Sequence, residues 1–198
     1  MCWVALDRSI KMAQEFKLEG ALGSWAKARD DIRSAILQRG FNRKLNSFVQ
    51  TFDYEVLDSA GLLIPIMGFL PADDPRARGT IAAIRKNLSS NGLLHRYEGD
   101  DGLPGKEGAF ILCSFWLVKA LALAGDLQAA EDEFLKILEY CSPLGLLSEE
   151  IDPRSGFLIG NFPQAFSHIG LINAALYLGK AQKKESTPPG LIGSGEGE

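Results

Sequence analysis

A surplus of positive charge is the first thing this sequence lacks. Across 198 residues, 21 basic side chains stand against 25 acidic ones, a net charge of −4, and no basic run exceeds two residues. A chain without a basic patch has no electrostatic footprint for a phosphate backbone, so no nucleic-acid partner is expected. Cysteine and histidine are scarce too. Cys2, Cys113, Cys141, His95 and His168 are scattered, and no spacing among them matches a zinc site, so no metal and no cofactor are expected. An odd, dispersed set of cysteines suits a reducing compartment, which makes the cytoplasm the expected location. Cys113, inside an apolar run, is expected to be buried and reduced. Met1 to Arg8 offers no basic segment followed by a clean apolar core, so no signal peptide is expected. Gly99, Gly102 and Gly105 follow no strand and match no phosphate-cradling spacing, and no nucleophile elbow is present. Long hydrophobic runs are limited to Gly108–Gly125, where Lys119 is the lone charge. That stretch approaches the roughly 18 residues of a membrane span but lacks basic flanks, so a buried core helix, and no membrane, is expected.

What is present is 46% hydrophobic and 23% charged, the composition of a globular domain. The apolar residues recur at helical spacing. Trp3, Leu6, Ile10 and Ala13 share one face of a helix over 1–17. Ser24 is the expected N-cap of an amphipathic helix over 25–39, with Trp25, Ala28, Ile32 and Ile36 inward and Gly40 as the stop. Residues 55–70 are apolar almost all round, the mark of a helix surrounded by protein, with Pro65 as a kink. Asp74 caps and Pro75 starts an amphipathic helix to Leu88. A second all-round apolar helix is expected over 107–124, then a break and cap at Gly125-Asp126, an amphipathic helix over 127–140, and a last apolar helix from Pro163 to Leu178. Apolar and amphipathic helices alternate, which predicts two layers, inner and outer. Residues 183–198 are too polar to pack and are expected to form a disordered tail after a domain over 1–182.

Connections from inner to outer helices are short, whereas those from outer to inner, 41–54, 89–106 and 141–162, are long. Antiparallel neighbours place all three long loops at one end, where binding and catalysis concentrate. They carry carboxylates, Arg96 and interleaved aromatics, a mixture suited to stacking on sugar rings and bonding vicinal hydroxyls. It suits a charged rim equally well. Leu146-Leu147 and Ile151 flank Glu149-Glu150 and would partly bury one carboxylate, raising its basicity. Asp7-Arg8 reads as a local structural ion pair, and His168 as a hydrogen-bonded core histidine rather than a general base.

Three segments resemble glycoside hydrolase family 15, the glucoamylases and their trehalase-like relatives. They are Met1-Cys2-Trp3-Val4-Ala5-Leu6-Asp7-Arg8, Gly102 through Trp116, and Leu147-Ser148-Glu149-Glu150-Ile151-Asp152-Pro153 through His168. The resemblance implies an all-α fold, a partial (α/α)6 toroid of alternating inner and outer helices, and inverting hydrolysis of α-glucosidic bonds in trehalose or maltodextrins. By position Glu149 matches the family's general base. Arg96-Tyr97 match an Arg-Tyr segment whose Arg holds glucosyl hydroxyls, and Glu107 and Phe110 fall in the stretch lining the same pocket. Glu150 stands where many members have Gln. The family's general acid lies in a Trp-Glu motif upstream of the segment matching Met1, and no Trp-Glu pair occurs in this sequence. The chain therefore corresponds to the C-terminal part of the catalytic domain, with an α-glucoside as substrate and either a missing N-terminal half or a homo-oligomer contact over the open edge. Such an arc is expected to expose Trp3 and Leu6 on one side and the last helix on the other. The rival reading is a non-catalytic helical array that binds a saccharide or protein through the same loops.

Overall fold

The computed structural model describes residues 1–97, 99 and 107–186. Its scaffold is a series of helices: α1 (Cys2–Glu15), α2 (Leu22–Arg39), α3 (Leu63–Ile66), α4 (Pro75–Leu88), α5 (Ile111–Leu123), α6 (Leu127–Leu138) and α7 (Ala165–Ser186). The long connections carry two-residue strands: β1 (Phe41–Asn42) with β2 (Ser47–Phe48), β3 (Ser89–Ser90) with β4 (Leu93–Leu94), and an antiparallel sheet of β5 (Ala109–Phe110), β6 (Glu150–Ile151) and β7 (Leu158–Ile159).

The α4 boundaries follow from local chemistry as expected. The Asp74 carboxylate accepts the Arg76 amide at 2.9 Å, Pro75 occupies the first turn, and Ala77, Ile81, Ile84 and Leu88 are buried. α2 starts earlier than expected, at Leu22. Ser24 is no cap; it lies in the first turn and donates its hydroxyl to the Ala21 carbonyl at 2.9 Å. No α2 residue is buried, and Ala28 is exposed. Asp126 holds the N-cap position of α6 but makes no side-chain capping bond, while Gly125 makes the break at φ +83°.

The expected helix over 55–70 is the largest correction. Only a 3₁₀ turn at Ser59–Leu62, capped by Asp58 through the Ala60 amide at 2.7 Å, and the single turn α3 form there. Pro65 contributes no amide to continue the ladder, and Gly68 ends the turn at φ +73°. Asp58, immediately ahead of the 3₁₀ turn, is extended and bridged to Tyr97.

α5 begins at Ile111 instead of 107 because Ala109 and Phe110 are drawn into the sheet, opposite Ile151 and Glu150. Nine α5 residues are buried, consistent with contacts to α3, α4, α6 and α7. Its one charge, Lys119, lies 3.9 Å from the centre of the Tyr177 ring. Among the described residues no helix is long and apolar enough to cross a membrane. The main core gathers around α5, with Phe115, Leu62, Ile84, Leu93, Ile137 and Ile151 almost wholly inaccessible. A second core joins α1, the β1–β2 hairpin and the segment after α3: Trp3 meets Phe69 edge-on at 5.0 Å, and Phe48 meets Phe41 at 5.2 Å.

α7 runs past residue 182 through Ser186, so the first four residues assigned to the tail are helical; the remainder, 187–198, lies outside the described residues. One narrow stripe of α7 is buried: Ser167, Gly170, Ala174 and Leu178. Gly170 permits the close approach to α5, because a Cβ there would lie 3.1 Å from Leu112 and Phe115. Phe166, Ile169, Ile172 and Leu176 on the other side are exposed, as expected for one end of an arc. At the other end the expectation fails for Trp3, which is 8% exposed, and for half-buried Leu6; the large apolar residues exposed there are Met12 of α1 and its C-cap Phe16. Asp7 is buried and paired with Lys11 at 2.9 Å as well as with Arg8.

The 3₁₀ turn and the second and third long connections are bonded to one another. Ser59 donates to the carbonyls of Arg96 (backbone amide, 2.8 Å) and His95 (hydroxyl, 2.6 Å). Asn91 donates to the Pro153 carbonyl at 2.8 Å. The loops are thereby stitched into one surface.

Candidate active site

Glu149 sits in the connection between α6 and α7, and its backbone is tied from two sides. Its amide donates to the Asn161 carbonyl at 2.9 Å, and its carbonyl accepts the Ile111 amide at 3.1 Å. The Glu149 carboxylate accepts two hydrogen bonds on one oxygen: Oε2 takes the Asn161 amide at 3.1 Å and the Asn161 side-chain nitrogen at 2.7 Å. Gly160 makes this turn possible. It adopts φ +74°, and a Cβ there would lie 2.9 Å from the Glu149 Cβ.

Glu150 belongs to β6, between Phe110 on one side and Ile159 on the other. Its Oε2 accepts the Gly108 amide at 3.0 Å. Burial pushes its carboxyl up from the ordinary value, and the negative charges of Glu107 and Glu149 add to the effect. Partial burial of one carboxylate of the pair was expected, and the one raised is Glu150. Gly108 is required beside it, since a Cβ would stand 2.6 Å from Ile159 and 3.0 Å from the Glu150 carboxylate.

Arg96 and Glu107 form an ion pair at 2.5 Å. The guanidinium also lies 4.8 Å from the centre of the Tyr97 ring and donates to the Tyr97 hydroxyl at 3.3 Å. Burial opposes the Arg96 charge, but the bond to Glu107 and the fields of Glu107 and Asp58 outweigh it and raise the pKa. Arg96, Tyr97 and Glu107 therefore form one cluster. Phe110 is paired with Glu150 across the β5–β6 ladder, and the charges of Glu107 and Glu149 raise the Glu150 pKa while Arg96 lowers it. A cavity of about 940 Å³ opens beside this cluster, lined by Tyr97 and Glu107 together with Ser89, Ser90, His95 and the β6–β7 hairpin tip. Neither Glu149 nor Glu150 lines it. Among the described residues no group of three His, Cys, Asp or Glu side chains is arranged to hold a metal.

The family model for glycosyl hydrolases family 15 matches residues 1–128 and 120–176. The chain belongs to that family. As a family 15 chain it is 44% identical over 187 residues to a trehalase of Mycobacterium tuberculosis, an alignment covering 93% of this chain and 27% of that protein. It is 42% identical over 188 residues to a trehalase of Thermoplasma volcanium, covering 94% and 30%. A solved glycosidase superposes with a TM-score of 0.69 at 27% identity, covering 82% of this chain and 46% of that one. A glucoamylase from Saccharomycopsis fibuligera superposes with a TM-score of 0.71 at 14% identity, covering 91% and 54%. The fold is a partial (α/α)6 toroid. The chain spans under a third of the length of the curated relatives it matches.

Three residues that bond to or act on the candidates or their loops were not singled out as such by sequence reasoning. Asn161 was legible only as a polar residue after Gly160, and nothing in its spacing announces that it folds back onto Glu149. Asp58 reads as a helix residue until the extended segment before the 3₁₀ turn is seen. His168, expected in the core, is half-buried and bonded to the loop that carries Glu149, at 3.3 Å from the Leu147 amide.

Proposed function

We propose that this chain is the base-bearing part of an inverting α-glucoside hydrolase acting on trehalose, with short maltodextrins as the related substrate class. The observation that carries the reading is the state of the Glu149 carboxylate. Oε2 is held twice by Asn161, and Oε1 accepts no hydrogen bond from the described residues. A carboxylate fixed by one oxygen and open at the other is suited to take a proton from water. In an inverting mechanism that water attacks the anomeric carbon from the face opposite the leaving oxygen, and the second carboxyl stands about 6.5–9.5 Å away to admit it. Arg96, oriented by Glu107 and Tyr97, supplies fixed donors for glucosyl hydroxyls, and Phe110 and Glu150 face each other across the β5–β6 ladder next to Glu149.

The general acid comes from outside this sequence, on the segment that carries the Trp-Glu motif. Acid assistance contributes about 10²–10⁴-fold, so the chain alone is expected to release little or no glucose. The exposed apolar face of α7 is where the rest of the domain, or a second copy, closes the arc. Cys2, Cys113 and Cys141 are free, an odd and dispersed set suited to the reducing cytoplasm to which we assign the chain.

The test is complementation with trehalose as substrate. Supplying the upstream segment of a related trehalase is expected to restore glucose release, and Glu149→Gln to reduce it by about 10³-fold or more. Undiminished release in that variant overturns the assignment of the base. Saccharide binding without hydrolysis under any complementation favours the non-catalytic module instead.

A further inference from the structure

We infer that His168 is a positioning residue for Glu149, acting as a neutral imidazole that carries its proton on Nδ1. The inference rests on the reading of Glu149 as the base. Nδ1 lies 2.7 Å from the Gln164 carbonyl oxygen, which can only accept, so Nδ1 donates. Nε2 lies 3.3 Å from the Leu147 backbone nitrogen, which can only donate, so Nε2 accepts. The two partners fix one tautomer between them.

The imidazole makes one of three bonds with which Gln164 and the first turn of α7 grip the segment leading into Glu149. The Gln164 amide donates to the Leu147 carbonyl at 2.9 Å. The Ser167 hydroxyl donates to the Ser148 carbonyl at 2.6 Å. Leu147 and Ser148 are both fully buried, so their backbone groups have no water to fall back on. The Leu147 amide depends on a side chain, and among the described residues that side chain is His168. Just beyond the grip, Asn161 bonds both the Glu149 amide and the Glu149 carboxylate. In satisfying its own two nitrogens, His168 also satisfies the backbone two residues before the base. The Leu147 bond therefore governs where the carboxylate sits, through the peptide units of Ser148 and Glu149.

Two variants of the full chain test this. His168→Leu keeps an apolar body and removes the acceptor. His168→Gln places an acceptor oxygen at about the reach of Nε2. In His168→Leu, hydrogen exchange at the Leu147 amide is expected to rise about tenfold or more, while exchange at Val118 in α5 is unchanged. The side-chain amide resonances of Asn161 are expected to move toward those of the Glu149→Gln variant, because the carboxylate they bond has shifted. His168→Gln restores both. Unchanged Leu147 exchange in His168→Leu overturns the bond. Raised exchange with unmoved Asn161 resonances shows a merely structural histidine and overturns the positioning role. If His168→Leu does not fold, failure of His168→Gln to keep the wild-type Asn161 resonances overturns it as well. These readouts are independent of glucose release, which tests the base.

Discussion

At the scale of the residue, the neighbouring carboxylates Glu149 and Glu150 are separated by what their oxygens meet. Glu149 is bonded by a side chain and a backbone amide on one oxygen, whereas Glu150 has a single amide and a partly buried position beside Glu107 and Glu149. Its raised pKa has a consequence for stability. In the unfolded chain Glu150 titrates at its ordinary value near 4.5, and in the folded chain higher. Between those two values the folded state binds more protons, so stability falls as pH rises through that window. Glu150→Gln keeps an acceptor for the Gly108 amide and removes the charge. It is expected to flatten the pH dependence of Tm above about pH 4.5 and to leave a small stability gain at neutral pH. Scanning calorimetry between acidic and neutral pH checks this, and identical slopes for both proteins would count against the burial of the Glu150 charge.

At the scale of the element, α4 was legible to the residue because its determinants are local: a carboxylate cap, a proline in the first turn and an apolar stripe that one helix face can bury. Asp74→Ala should cost about 1 kcal/mol through loss of the cap, seen as a lower Tm. The Arg76 side-chain bond holds the Asp74 carboxyl below its ordinary value of 3.8, so its contribution is present above that value and is lost as pH falls below it. The variant should therefore lose less stability than the wild type on acidification, which denaturant melts at two pH values can show. The stretch 55–70 failed for the opposite reason. Its apolar composition reports burial, which is correct for Leu62 and Leu57, but burial is shared by helices and by extended segments packed under a loop. Pro65 and Gly68, both visible in the sequence, mattered more than the periodicity. The strands were missed likewise, although Asn91-Gly92, each with positive φ between β3 and β4, is a hairpin signature. The β5–β6–β7 sheet had no such signal. It pairs Phe110 with Glu150 across forty residues of sequence, and only the packing of α5 against α7 brings those strands together.

At the scale of the whole molecule, the alternation of inner and outer helices predicts an arc, and an arc has two ends. The α1 end is largely closed by its own hydrophobic cluster of Trp3, Phe48 and Phe69. The α7 end is open: Phe166, Ile169, Ile172 and Leu176 are each more than half exposed and recur at helical spacing on one side. A contiguous apolar stripe of this kind on an inner helix marks an interaction face. Ile169 and Ile172 are each more than half exposed and lie outside the buried stripe of α7, so charging them should leave the fold intact, at about 0.5 kcal/mol or less each. The double variant Ile169→Glu/Ile172→Glu is therefore expected to keep the wild-type circular dichroism spectrum and Tm while losing association with the segment that restores glucose release. Size-exclusion chromatography with light scattering separates the two ways of closing the arc: a heterologous complex points to the missing part of the domain, and a dimer of the chain to a second copy. Were the double variant to assemble and release glucose as the wild type does, the seam would lie elsewhere, and the exposed end of α1, at Met12 and Phe16, would be the face left to close it.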